Sequence, residues 1–353
     1  MSKLFKKARK HFNLKLPFVV YCKPNSDKII SLFQTIETLF ELDSTNESGF
    51  VMVSFDNKKQ FIIPENQSEI IIENTIALDL PYSSNAEVSF DKKDKISFEK
   101  LVKSGVEAIC IKQFEKVVLS RKEIVKIENF DFELVFSKLI LNYNEALKYC
   151  FYHPKIGFWI GATPEQFVKI EDTKLKTVSL AGTQLNSDDE PVVWHKKEIK
   201  EQQIVTDYIV NNLELFSNKI EFSKPYTIKA GTLSHIKTTI EAEILDKNSI
   251  YKIINVLHPT PAVCGFPKQN AKNFILENEN YDREFYSGFL GEWKKDFLTN
   301  TENQSDLFVN LRCMKVEDNQ AIVYIGCGIT KDSIPEKEFE ETVNKSMTMK
   351  KVL

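Results

Sequence analysis

The sequence predicts an α+β protein, on three observations. Residues 1 to 95 are rich in short apolar runs of strand type. Three separate stretches, near 97–109, 195–216 and 335–347, repeat their apolar residues at helical spacing, and further strand-like runs lie between them. A chain of 353 residues suffices for one large core or two ordinary domains. No internal repeat, low-complexity stretch or long Pro/Gly/Ser linker forces a division.

The composition, 42% apolar and 27% charged, is that of a soluble globular protein. A formal charge of −3 gives no general attraction for nucleic acid or acidic membranes, so an anionic ligand must be held by local positive groups. The six cysteines (Cys22, Cys110, Cys150, Cys264, Cys313, Cys327) are scattered without a CxxC, which suggests neither a zinc site nor a disulfide framework. Free thiols in a reducing cytoplasm are the expectation.

Taken in order, residues 3–15 are basic and partly amphipathic and read as a surface helix feeding a strand. The apolar run 16–22 is too short for a signal or membrane segment, and an organellar address is the other reading of the basic start. Residues 50–55 and 60–63 read as strands flanking a turn at Asp56 and Asn57, with polar loops at 43–48 and 83–85. Ser97 reads as the N-cap of a helix whose stripe is Phe98, Leu101, Val102, Val106 and Ile109. Strands are expected at 116–125, 158–160, 167–170 and 176–180, with a bend at 161–165 and the last strand ending at Ala181, Gly182 and Thr183. The helix at 195–216 carries the stripe Val205, Tyr208, Ile209, Asn212 and Phe216. After a strand at 321–325, Gly326, Cys327 and Gly328 read as a turn whose amides could face an anion. Asp332, Ser333 and Pro335 mark the start of a last helix with the stripe Phe339, Val343 and Met347.

Two Glu-x-x-Glu pairs, Glu198 with Glu201 and Glu338 with Glu341, each place two carboxylates on one helix face. Taken alone, either pair reads as a solvated acidic face. If the helices meet, four acids converge on a hard, oxygen-seeking cation such as Mg²⁺. The stripe of the 195–216 helix, extended toward its start, lands on Glu201 and Glu198 and turns that pair inward, where carboxylates persist only when paired, hydrogen-bonded or metal-bound. For the second pair, on a stripe beside the apolar one, the inward argument is weaker.

Further segments carry unusual residues: Lys116-Val-Val-Leu-Ser-Arg121, Gly161-Ala-Thr-Pro-Glu165, Leu257-His-Pro-Thr-Pro-Ala-Val-Cys-Gly265, Arg283-Glu-Phe-Tyr-Ser-Gly288 and Leu311-Arg312. With Ala181-Gly-Thr183 and Gly326-Cys-Gly-Ile329, they resemble the chorismate-utilising enzymes over residues 97–353, about three quarters of the chain. The resemblance implies two facing β-sheets flanked by helices, with residues 1–95 a strand-rich part of the same fold and 96–353 the chorismate-binding core. Within the family, Lys116 resembles the branches that add water to chorismate, where the ammonia-using branch resembles Gln. Water needs a base, and a lysine serves as one when burial lowers its pKa.

By resemblance, the branch is isochorismate synthase. Lys116 would be the general base, and Glu165 the general acid, kept neutral by an apolar setting. Mg²⁺ held by Glu198, Glu201, Glu338 and Glu341 would take the ring carboxylate. Arg312, Lys345, Tyr286 and the amides of Gly326, Cys327 and Gly328 would hold the second carboxylate, Arg312 through its bidentate fork. For Lys345, a salt bridge to Glu341 is the other reading. Gly182, Thr183, His235 and Ala262 match further family positions at the substrate, with His235 otherwise a core histidine. Ala181 stands where the aminodeoxychorismate branch resembles a nucleophilic Lys.

The chain departs from the pattern at Gln202, where a His is usual, at Cys327 between two glycines, and before residue 97. The product would feed menaquinone or a catecholate siderophore. The expected partner is chorismate alone, with no nucleic acid or membrane, in a cytoplasmic monomer. A salicylate synthase, which goes on to eliminate pyruvate, and a non-catalytic relative that binds chorismate or metal are the rivals.

Overall fold

Alternation along the strands decides the layering. In the strand Phe18–Cys22, Val19 and Tyr21 join one core with Phe50, Met52, Leu290 and Phe308, while Phe18, Val20 and Cys22 turn the other way to meet Leu4, Ala8, Phe132 and Phe136. Successive side chains on a strand point to opposite faces, so one sheet is buried on both sides. The first core lies between two sheets, and the second lies under the helices Lys3–Asn13 and Phe132–Asn142. A third core, with Val205, Ile209, Leu213, Ile253 and Leu257, packs the helices Lys196–Leu213 and Ile250–Leu257 on the outside of the other sheet. The expected architecture of two facing sheets flanked by helices is therefore present.

The structure, a computed structural model, describes residues 3–43, 47–75, 90–185, 192–230 and 233–353. The loop expected at 83–85 and part of that at 43–48 lie outside the described residues. Among the described residues the first sheet has nine strands, in the order Gly265–Phe266, Lys116–Lys126, Gln320–Ile329, Cys313–Glu317, Gly157–Thr163, Leu147–His153, Phe18–Cys22, Lys28–Gln34 and Ser68–Asn74. The second runs Ser217–Phe222, Leu233–Ile244, Lys174–Leu185, Gln166–Glu171, Gln304–Val309, Phe289–Trp293, Gly49–Val53, Gln60–Pro64 and Phe40–Glu41, with Tyr226–Ala230 paired to Leu233–Ile244. Neighbouring strands pair antiparallel throughout both sheets. Residues 18–74 contribute strands to each sheet.

Several sequence expectations need correction. The helix expected to start at Ser97 begins at Lys92, capped by Asp91, whose side chain accepts from the Lys93 amide. Its first turns are polar and exposed, so hydrophobic periodicity becomes visible only at Phe98. The strand expected at 176–180, ending at Ala181, Gly182 and Thr183, spans Lys174–Leu185, with a bulge between Ala181 and Thr183. Gly326, Cys327 and Gly328 are not a turn. They extend the strand Gln320–Ile329, opposite Ser120, Leu119 and Val118, because pairing with Lys116–Lys126 overrides the glycines' turn preference. Ile334 rather than Ser333 precedes the last helix, Pro335–Lys350, and the Ser333 hydroxyl instead accepts from the Thr330 amide.

Candidate active site

One cavity of about 190 Å³ gathers side chains from segments far apart in sequence. Lys116 comes from the first residue of its strand, and Glu165 from the turn between Gly157–Thr163 and Gln166–Glu171. Glu198 and Glu201 come from the helix Lys196–Leu213, and Glu338, Glu341 and Lys345 from Pro335–Lys350. Gly182, His235, Ala262, Tyr286, Arg312, Gly326, Cys327 and Gly328 complete the polar and small part of the wall. Of the residues singled out by sequence, Thr183 is placed by its backbone alone, opposite His235, and its side chain lies outside the described part.

The first acid helix faces the cavity at its opening turn. Gln202, Val205, Thr206, Ile209 and Leu213 are its buried stripe, and Glu198 and Glu201 sit at the edge of that stripe, partly exposed. Glu198 also closes a capping box, accepting from the His195 amide at 3.0 Å. Gly182 has φ +73°, and a Cβ there would stand 3.0 Å from the Glu198 Cβ, so glycine lets helix and strand approach. Gln202 is fully buried. Its amide donates to Ser179, Thr206 and Thr238 hydroxyls at 3.2, 3.0 and 2.7 Å, tying the helix to both strands beneath.

Of the second acid pair Glu338 is buried, while Glu341 is partly exposed, as Glu198 and Glu201 are. Glu338 is covered because its helix packs against both the strand Gln320–Ile329 and the helix Lys92–Cys110. Lys345 lies 2.5 Å from Glu341 and donates to the Gly326 carbonyl at 3.1 Å. In an antiparallel strand a residue's N–H and C=O point to the same side. Gly326 therefore turns both toward the cavity edge, while Cys327, one residue on, directs its own into the ladder with Leu119. Of the three amides proposed to face an anion, that of Cys327 is spent.

Lys116 is 2% exposed, and its Nζ lies 2.7 Å from Glu201 Oε1. Gly328 leaves room for that ion pair, since a Cβ there would meet Glu201 Oε1 at 3.2 Å and Lys116 Cε at 3.3 Å. Burial pushes the Glu165 carboxyl up to about 7, against the downward pull of Lys116, Arg312 and Lys345. Burial likewise lowers His235, leaving a neutral imidazole whose Nδ1 donates to the Gly182 carbonyl at 3.1 Å. Tyr286 is buried and stacks on Tyr324 at 5.6 Å. Arg312 lines the cavity with no hydrogen-bond or ion-pair partner for its guanidinium among the described residues. A cation held so is ready for an anion.

Among the described residues, no three acidic, histidine or cysteine side chains stand close enough to form a ready-made cation site. Two of the four glutamates are instead neutralised by lysines. The donor set is nonetheless carboxylate oxygen only, which is the chemistry a hard divalent cation takes. Sequence reasoning missed the apolar wall: Val118, Leu180, Val263 and Leu311, with Pro164 and the buried Ser287. All six are next to, or two residues from, a motif residue, which was the available signal, but an apolar residue on a strand looks the same whether it lines a cavity or a core.

Comparison with known proteins places the chain in a family. Residues 45–353 match the family model described as chorismate binding enzyme. The isochorismate synthase EntC of Escherichia coli K12 is 30% identical over 268 residues, covering 72% of this chain and 66% of that protein. The salicylate biosynthesis isochorismate synthase of Pseudomonas aeruginosa is 28% identical over 280 residues, covering 77% of this chain and 57% of its own. The chain thus spans less than two thirds of the length of these curated relatives. Among solved structures, the menaquinone-specific isochorismate synthase MenF of Escherichia coli superposes with a TM-score of 0.78 at 20% identity, covering 96% of this chain and 88% of the other.

Proposed function

The chain belongs to the chorismate-binding enzymes, and from that premise we propose that it is an isochorismate synthase, converting chorismate to isochorismate with Mg²⁺. One observation carries the reading: a buried lysine, Lys116, and a carboxyl that burial pushes up to about 7, Glu165, stand on the walls of one small cavity. The second suits an acid at neutral pH, and the first puts an amine on the same cavity wall, where it can take up a proton from water once its own is lost.

In this reading Lys116 takes a proton from water, whose oxygen bonds to C2 of the ring. The ring double bonds shift, and the C4 hydroxyl leaves as water after accepting the Glu165 proton. Atoms balance as an isomerisation, and a proton passed from Lys116 back to Glu165 through solvent resets the site. Lys116 can act only once its ion pair with Glu201 opens and its own proton is shed. Arg312 and Lys345, with the Gly326 amide, hold the enolpyruvyl carboxylate, and Tyr286 closes over it. Gly182, Thr183, His235 and Ala262 shape the ring side of the site. Glu198, Glu201, Glu338 and Glu341 would hold Mg²⁺, which when bound neutralises the acids and the ring carboxylate.

Cytoplasmic location, a monomeric state and supply of menaquinone or catecholate siderophores belong to the same proposal. No helix among the described residues is long and apolar enough to cross a membrane. The test is to incubate purified protein with chorismate, with and without Mg²⁺, and separate the products. Isochorismate formed only with Mg²⁺ is expected. Salicylate and pyruvate appearing without a second enzyme would assign a salicylate synthase, and no turnover at any Mg²⁺ concentration would leave a binding protein.

A further inference from the structure

A second, larger cavity, about 820 Å³, adjoins the first. Lys116 and Glu201 line both, so their 2.7 Å ion pair forms part of the wall between them. The two chambers differ in charge. The inner one is lined by five glutamates against Lys116, Arg312 and Lys345. The outer one is lined by five lysines, Lys116 with Lys112, Lys196, Lys200 and Lys331, against Glu115, Glu201 and Asp332. Lys200 is 3.2 Å from Glu115 and Lys331 is 3.5 Å from Asp332, whereas Lys112 and Lys196 have no acidic partner among the described residues.

A positive excess here is out of keeping with a chain whose net charge is −3. A dicarboxylate approaching such a protein is repelled by the whole and by the acids of the inner cavity. Lysines around a concave surface focus the opposite field and raise the local concentration of an anion. We propose that the outer chamber is the route by which the dianionic substrate reaches the catalytic cavity, with Lys112, Lys196, Lys200 and Lys331 steering it to the Lys116–Glu201 pair. The inference rests on the chorismate reading above. It assigns these four lysines to substrate capture and none of them to the chemistry.

Exposed charges act through salt-screened fields, with a Debye length of about 10 Å at 0.1 M, so the signature is kinetic and ionic-strength dependent. The experiment uses the full chain, comparing wild type with K112E/K196E, the four-lysine Glu variant and the four-lysine Arg variant, each with chorismate and Mg²⁺ across a salt series. The result expected at low salt is a fall in kcat/KM of about tenfold or more for the Glu variants, with kcat unchanged. Raising salt should lower wild-type kcat/KM while leaving that of the Glu variants flat or rising, and the Arg variant should behave as wild type. Glu variants that keep wild-type kcat/KM at low salt would overturn the inference alone. So would a loss confined to kcat, or the same loss in the Arg variant. A wild-type protein that turns over no chorismate would overturn the functional reading first and the inference with it.

Discussion

At Glu165 two effects compete, and their balance sets the chemistry. Burial drives the carboxyl up, while Lys116, Arg312 and Lys345 draw it down, and burial wins at about 7. A raised carboxyl is protonated below that value and loses its proton as pH rises through it. A carbon-13 NMR titration of the glutamate carboxyls should therefore show two midpoints near 7, those of Glu165 and of Glu292, which burial also pushes up to about 7, and only that of Glu165 should move higher in Lys116→Gln because its positive neighbour is gone. A set of carboxyls that all titrate in the ordinary range of about 4 to 5 would contradict it. Lys116→Gln should itself lower kcat by about 10²- to 10⁴-fold while chorismate binding persists, and kinetics with equilibrium binding would show whether the lysine acts in the chemistry. Both residues were legible through the resemblance of their motifs to a family, since a lysine at the start of a strand that also carries Arg121, Lys122, Glu123 and Lys126 does not stand out by itself. Gln202 was legible only as a departure, because its partners Ser179 and Thr238 come from two strands that only folding brings beneath the helix.

Between elements, the contact that sets the site is the first turn of Lys196–Leu213 against the bulged strand Lys174–Leu185. Gly182 permits it through both its φ of +73° and its missing Cβ. Gly182→Ala should cost about 1–3 kcal/mol of stability and push Glu198 outward, reducing activity more than the stability loss explains. Urea unfolding beside kcat/KM at low temperature measures the two separately, and unchanged values for both would remove the glycine from the account. Helices and strands were legible wherever the periodicity was long, as over Phe98 to Ile109 or Val205 to Phe216. Their faces and ends were less so. The burial of Glu338 depends on two elements that sandwich its helix, and the Gly-Cys-Gly segment became strand because a long partner was available. Neither fact is local.

For the whole molecule, the cavity lies where helices from both outer layers meet residues of both sheets, so its shape depends on how the sheets are joined. Part of that join is a buried pair: Arg283 donates to Glu279 at 2.5 Å and to the Val118 carbonyl at 2.6 Å, and Glu279 accepts from the Ser120 amide at 2.7 Å. Glu279→Ala should destabilise by about 3–5 kcal/mol, since it strands a buried guanidinium, whereas a loss below about 1 kcal/mol in denaturant unfolding would show that the pair is dispensable. The sequence indicated Arg283 as part of a motif but could not name Glu279 as its partner, because the pair is internal to one loop among many acids. The facing-sheet architecture was legible through resemblance alone, as strand order over 353 residues is not written in local pattern. The central claim is that solvent water, activated at Lys116, supplies the new hydroxyl while Glu165 expels the old one. Turnover of chorismate in H₂¹⁸O, followed by mass spectrometry of the isochorismate formed, tests it most directly. One ¹⁸O at C2 is the result expected, and isochorismate carrying no label would contradict the account.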